Sequence, residues 1–171
     1  AEEDTLSDLN FICRRGETTA IIGGTGSGKS TVASFILRFH EVTKGNILLN
    51  DRDIRSMTQN YLRKHLAYVQ QKAWLFSGTV ADNLRYGNKN ASREELMRAV
   101  EVAQAGEFVK SLPNGLNSYV AQGGTNFSGG QKQRLSIARA LVKKPEVYIF
   151  DDSFSALDFK TDAALRNALA E

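Results

Sequence analysis

The sequence predicts an α/β fold, with a mainly parallel sheet between layers of helices and a helical segment inserted into it. Three observations carry that reading. Short apolar runs bounded by turn residues alternate with helical patterns near both ends of the chain, as strands joined by crossover helices do. The first run opens into a glycine-rich loop and then a helix. From about Trp74 to Leu135 strands fade and helical periodicity dominates. The 171 residues are therefore expected to form one domain, 1–171. Residues 1–73 and 136–171 make its core lobe and 74–135 its helical subdomain.

Each element has its own local reason. Thr18 to Ile22 is a short apolar run ending in glycines and reads as a buried strand. After Lys29, residues Val32, Phe35, Ile36 and Phe39 recur at helical spacing and give one apolar face. Ile47 to Leu49 is a further strand, ended by the turn-prone pair Asn50 and Asp51. Leu66 to Val69 is another apolar run. Ser92 and Glu95 form a capping box, and Leu96, Ala99, Val100 and Ala103 follow with helical spacing. Pro113, Asn114 and Gly115 mark a turn. A helix is predicted from near Ser128 to about Val142, stopped by Lys143, Lys144 and Pro145. Val147 to Phe150 reads as a buried strand closed by Asp151 and Asp152. A last helix runs from near Thr161 to the end.

Composition is that of an ordinary soluble globular domain, and the net charge of +3 is small. No basic run proposes nucleic acid as a partner. No apolar stretch approaches the roughly 18 residues of a membrane span, and the acidic N-terminus does not read as a signal peptide. Any membrane connection is expected through a partner. Cys13 is the single cysteine, which excludes a disulfide within the chain and fits a reducing compartment.

The chemistry starts at residues 23–31. Gly23, Gly24, Thr25, Gly26, Ser27, Gly28, Lys29, Ser30 and Thr31 match G-x-x-x-x-G-K-[ST], the phosphate-binding loop. Polyphosphate needs many donors without crowding. Glycines let the backbone curl so that successive N–H groups point inward, and the following helix adds its N-terminal donors and dipole. Lys29 is expected on the β- and γ-phosphates of ATP, and Ser30 on Mg²⁺. The fold this implies is a three-layer P-loop NTPase core. Strand 147–150 ending at Asp151 and Asp152 reads as the acidic partner of that loop. Asp151 would hold hydrated Mg²⁺, and Asp152 would orient or deprotonate the attacking water.

Later in the chain, Phe127, Ser128, Gly129, Gly130 and Gln131, continued by Lys132, Gln133 and Arg134, resemble the L-S-G-G-Q-x-Q-R run of ATP-binding cassette (ABC) nucleotide-binding domains. Phe127 stands where that family usually has leucine. The resemblance covers essentially the whole chain, and it implies an ATPase that works as a dimer. Two domains meet head to tail, and the signature of one covers the γ-phosphate held by the phosphate loop of the other. Gln71 matches the Q-loop glutamine, which reaches Mg²⁺ and the attacking water and senses a transmembrane partner. Ser155 to Asp158 resembles the D-loop, which crosses to the other subunit's site. Phe76 to Thr79, with Asn83 and Leu84, is similar to the stretch that follows the Q-loop in exporters. Trp74 and Phe76 would then lie near the surface that grips the transmembrane part, or else pack within the helical lobe. The implied location is the cytoplasmic side of a membrane.

The sequence departs from the family pattern at three places. The family's catalytic base is glutamate, and here the position is Asp152, whose carboxylate is pulled back by about 1 Å, enough to cost roughly 10²-fold in rate. In the family this change marks the slow site of heterodimeric exporters, so a heterodimer is favoured. An adenine-stacking aromatic is expected well upstream of the loop, and Phe11 is too close to it and reads as a core residue. A switch histidine is expected beyond Glu171, and His40 and His65 read as local or surface residues. The chain is accordingly read as an excerpt incomplete at both ends. Two other functions compete. A regulatory nucleotide-binding module with little hydrolysis fits Asp152. The chromosome-maintenance and DNA-repair relatives carry long coiled coils between loop and signature, and no sustained heptads occur here.

Overall fold

The computed structural model describes residues 6–170, and the chain forms two compact units, one up to Arg63 and one from Lys64. In the first unit, helix α1 spans Lys29–Ile36. It stops short of Phe39 because Arg38 turns into the left-handed region at φ 51°, where its guanidinium donates to the carbonyls of Ile54 and Met57 at 2.9 and 2.8 Å. Strands β1 (Leu48–Leu49) and β2 (Arg52–Asp53) form an antiparallel hairpin. Asn50 and Asp51 both have positive φ there, the type I′ geometry that matches strand twist.

The expected strand at Thr18 to Ile22 is absent. A strand is stabilised by its ladder, and no described residue pairs with this run, whose Ile21 and Ile22 are 44% and 93% exposed. Phe11 is likewise exposed and not a core residue.

Helix α2 (Gln59–His65) leads into the second unit. There, strand β3 (Leu66–Val69) pairs in parallel with β6 (Val147–Phe150), with Leu66 opposite Val147 and Val69 opposite Phe150. Between them in sequence lie β4 (Gly78–Thr79), α3 (Val80–Arg85), α4 (Arg93–Val102), α5 (Gly106–Ser111), β5 (Tyr119–Val120) and α6 (Gly129–Lys143). Helix α7 (Phe159–Ala170) follows β6. Segment 74–135 is helical as expected, apart from the two-residue antiparallel ladder of β4 with β5, too short to show a period.

The second unit has a continuous apolar core. Leu84, Leu96, Val100, Val120, Leu135 and Ile137 are among its fully buried members. Ser92 caps α4 in the predicted box, and Leu96, Ala99, Val100 and Ala103 are all buried. Helix α6 starts after Ser128 and ends where Lys144 turns left-handed at φ 51°, ahead of Pro145. Strand β6 is only partly buried. Tyr148 is 37% exposed, because β3 is its one ladder partner among the described residues.

Candidate functional site

The phosphate loop is built from backbone. Gly26 and Gly28 have φ of 80° and 89°, the left-handed region that glycine enters at little cost. A Cβ at Gly23 would overlap the Ser27 hydroxyl, which would have to move to admit any other residue. Lys29 folds back along the loop. Its Nζ donates to the carbonyls of Gly23 and Gly24, both at 2.7 Å, and sits 3.4 Å from Ser27 Oγ. Gly28 is the N-cap of α1, and no side chain caps that helix. Its first turn therefore presents backbone donors and the positive end of the dipole beside a lysine ammonium, with Thr25, Gly26, Ser27 and Ser30 all exposed. That combination fits an anion with several oxygens.

The acidic strand end is built from side chains. β3 and the turn after it place one donor on each carboxylate that closes β6. Tyr68 O–H donates to Asp151 Oδ2 at 2.9 Å, and Gln71 Nε2 donates to Asp152 Oδ2 at 2.9 Å. The Asp151 amide donates to the Val69 carbonyl at 3.0 Å, and the buried Ser153 hydroxyl donates to the same carbonyl at 2.6 Å. Asp152 stands at φ 46°, a left-handed conformation that aspartate tolerates better than most side chains. Burial pushes the Tyr68 phenol up to about 12, with the bond to Asp151 adding to the rise, so it stays a donor. Among the described residues no group of three or more His, Cys, Asp or Glu could hold a metal by itself. Mg²⁺ commonly takes one or two carboxylates and leaves its other positions to phosphate and water, which suits the carboxylates that close β6.

The signature residues open α6. Ser128 Oγ accepts from the Gln131 amide at 3.2 Å, and the Ser128 amide donates to Gln131 Oε1 at 3.0 Å, a reciprocal capping box. Gly129 has open space on its Cβ side, whereas a Cβ at Gly130 would come within 3.2 Å of the Ala156 carbonyl. The 155–158 turn thus lies against the start of α6. Ser155 Oγ donates to the Asp152 carbonyl at 2.9 Å, and Asp158 accepts from the Thr161 amide and hydroxyl at 3.0 and 2.7 Å at the head of α7. Phe127 packs against the core, with its ring edge-on to Phe108 at 6.0 Å. An apolar residue other than leucine serves there.

The family profile described as ABC transporter matches residues 6–155, most of the chain. The chain belongs to the ABC transporter family. An ABC transporter ATP-binding protein of Mycobacterium bovis is 48% identical over the whole chain, which spans 30% of that relative. Multidrug resistance protein pgp-1 of Caenorhabditis elegans is 42% identical over 96% of the chain, which spans 12% of it. A bacterial Atm1-family ABC exporter, solved with ATP bound, superposes with a TM-score of 0.82 at 40% identity. The match takes in 85% of this chain and 26% of that one. The fold is the P-loop NTPase fold as ABC proteins carry it, with mixed helix and parallel-sheet content.

In this ABC domain the segment after Gln71 is tied to the one before the signature. The Trp74 ring lies over Gly123, the Gly123 amide donates to the Leu75 carbonyl at 2.8 Å, and the Ser77 amide donates to Gln122 Oε1 at 3.2 Å. Trp74 nevertheless keeps half its surface exposed, so it packs and faces outward at once. Phe76 sits 4.7 Å from Tyr86, with Arg139 6.0 Å from its ring. The buried Asn83 side chain fixes Phe76 by accepting from its amide at 2.8 Å and donating to its carbonyl at 2.9 Å. Phe76 and Tyr86 border a cavity of about 190 Å³ that also touches Ser136, Arg139 and Lys143. Arg139 Nη1 is buried there without a partner among the described residues, and burial pulls its pKa down.

Sequence reasoning missed Tyr68 and Ser153, and the bond that Gln133 Nε2 donates to the Gln70 carbonyl at 3.1 Å. Their partners lie 63 to 84 residues away, and no local motif announces them. Of the two histidines, His40 is exposed. His65 bonds Glu146 at 2.7 Å, away from the residues that carry the chemistry.

Proposed function

We propose that this chain is the ATP-binding and ATP-hydrolysing domain of an ABC exporter, at the cytoplasmic side of a membrane. Core lobe 1–73 and 136–171 would bind nucleotide, and subdomain 74–135 would carry the signature. The observation that carries the reading is the pair of glycine-built helix starts in one ABC chain. One follows a lysine-clasped loop, and the other is a self-capped signature.

In this reading residues 23–31 bind the phosphates of ATP, and Lys29 exchanges its two carbonyl partners for phosphate oxygens. Ser30, Gln71 and Asp151 would hold Mg²⁺, which when bound would supply positive charge beside the transferred phosphoryl group. Gln71 and Asp152 orient the attacking water. Phe127 to Gln131, with Ser155 and Asp158, act on nucleotide bound to a second nucleotide-binding domain. A transmembrane domain is the other partner.

Asp152 supports a finer assignment, the slow site of a heterodimer, which shades into a regulatory module with little hydrolysis of its own. The Q-loop side chain already reaches Asp152, so geometry at this position is set by the shorter acid. The test is single-turnover hydrolysis at this site in the complete protein. Asp152→Glu is expected to raise the rate by roughly 10²-fold, and Lys29→Ala to remove hydrolysis. Unchanged rates in both variants would sink the reading.

A further inference from the structure

Two carboxylates close β6, and each accepts from one uncharged donor, Asp151 from Tyr68 in β3 and Asp152 from Gln71 just beyond it. Gln71 has a role in the reading above, whereas Tyr68 has none. We propose that Tyr68 is a positioning residue that presets Asp151 for Mg²⁺. The inference rests on the reading of Asp151 as the residue that holds the hydrated metal.

Tyr68 lies inside β3, in register with Ile149 of β6, so its backbone is fixed by the ladder on which Asp151 follows. Its ring is half-buried, and only two torsions separate that backbone from the hydroxyl. The Asp151 amide is already bonded to the Val69 carbonyl of the same strand. Main chain and carboxylate are therefore both tied to β3, and the phenol bond limits the remaining rotation of the carboxyl group. The donor is neutral, which matters beside a dication. An arginine or lysine would orient the carboxylate equally well but would repel the metal and compete for its charge. A phenol orients the oxygen and leaves the carboxylate's charge to the cation. Partners of this kind, one bond behind a metal ligand, typically set affinity by about 10- to 100-fold.

The experiment is ATP binding at this site in the complete protein, with Mg²⁺ and with EDTA, for wild type, Tyr68→Phe and Asp151→Asn. Wild type is expected to bind ATP more tightly with Mg²⁺. Tyr68→Phe keeps the ring and deletes the donor. It should shrink the Mg²⁺-dependent gain by about 10-fold while affinity in EDTA stays unchanged. Asp151→Asn should abolish the gain. A Tyr68→Phe protein that keeps the full gain overturns the proposal. So does one that loses affinity equally with and without metal, since that marks a structural role. If wild type shows no gain, or Asp151→Asn retains it, the reading of Asp151 itself falls and the proposal falls with it.

Discussion

Helices α1 and α6 both begin on glycines, yet their first turns are finished differently. At α1 the N-cap is Gly28 in a left-handed conformation, and no side chain closes the turn. At α6 the N-cap is Ser128 in an extended conformation, closed reciprocally by Gln131. A helix start leaves several N–H groups without intrahelical partners. At α6 the Ser128 side chain satisfies part of them, whereas Gly28 at α1 has no side chain to do so and Lys29 is folded on two loop carbonyls. The lesson is that glycine content alone does not make a phosphate site. Whether a neighbouring side chain already caps the turn decides how much of it is offered to a ligand.

The largest way to break this contrast is at Gly28. Gly28→Ala forces a Cβ into a left-handed residue, which costs about 1–2 kcal/mol. It also sets that atom 2.5 Å from Leu6 Cδ2. ATP binding is expected to weaken by about 10-fold or more, each 1.4 kcal/mol being tenfold, with far-ultraviolet circular dichroism unchanged. Unaltered affinity would mean that the loop does not need this conformation.

A smaller effect is expected at α6. Ser128→Ala removes the cap and should cost about 1 kcal/mol of stability, seen as a drop in Tm of about 2–4 °C for a domain of this size. Ser128→Gly should cost only a few tenths of that unit. Equal losses for the two variants would contradict a capping role.

The smallest effect is a pH dependence that spares both of these helix starts. Other termini use carboxylates. The Thr79 hydroxyl at the head of α3 holds Asp82 below the ordinary range, and the Thr161 hydroxyl does the same for Asp158 ahead of α7. A carboxyl depressed in the folded state contributes stability above its unfolded value, near pH 4. That contribution is lost as pH falls through the folded value. The stability difference between wild type and Asp82→Asn should therefore shrink between pH 7 and pH 3. The difference for Ser128→Ala should hold constant, since its cap is uncharged. A constant difference for Asp82→Asn would show that its carboxylate is not held in this way.

How much of this was legible in the sequence depended on whether the cause was local. The bounds of α6 were legible because Ser128, Lys144 and Pro145 act within a turn of the helix ends. The turn at Asn50 and Asp51 and the box at Ser92 were legible for the same reason, whereas the return strand β2 was not. The run Thr18 to Ile22 has strand composition, but a strand needs a neighbour, and composition cannot supply one. In the candidate site, the loop and signature were motifs of consecutive residues and could be read directly. Tyr68 could not, because its bond to Asp151 exists only once β3 and β6 pair across 83 residues of chain.

The most direct measurement is calorimetric titration of the complete protein with ATP and Mg²⁺, comparing wild type, Lys29→Ala and Ser128→Ala. The lysine contributes charge-assisted bonds of about 1.5–3 kcal/mol, so Lys29→Ala should lose binding at this chain's site by about 10- to 100-fold. Ser128→Ala should retain it. Lys29→Ala binding as tightly as wild type would contradict the account, because the uncapped, lysine-clasped helix start would then not be where the nucleotide sits.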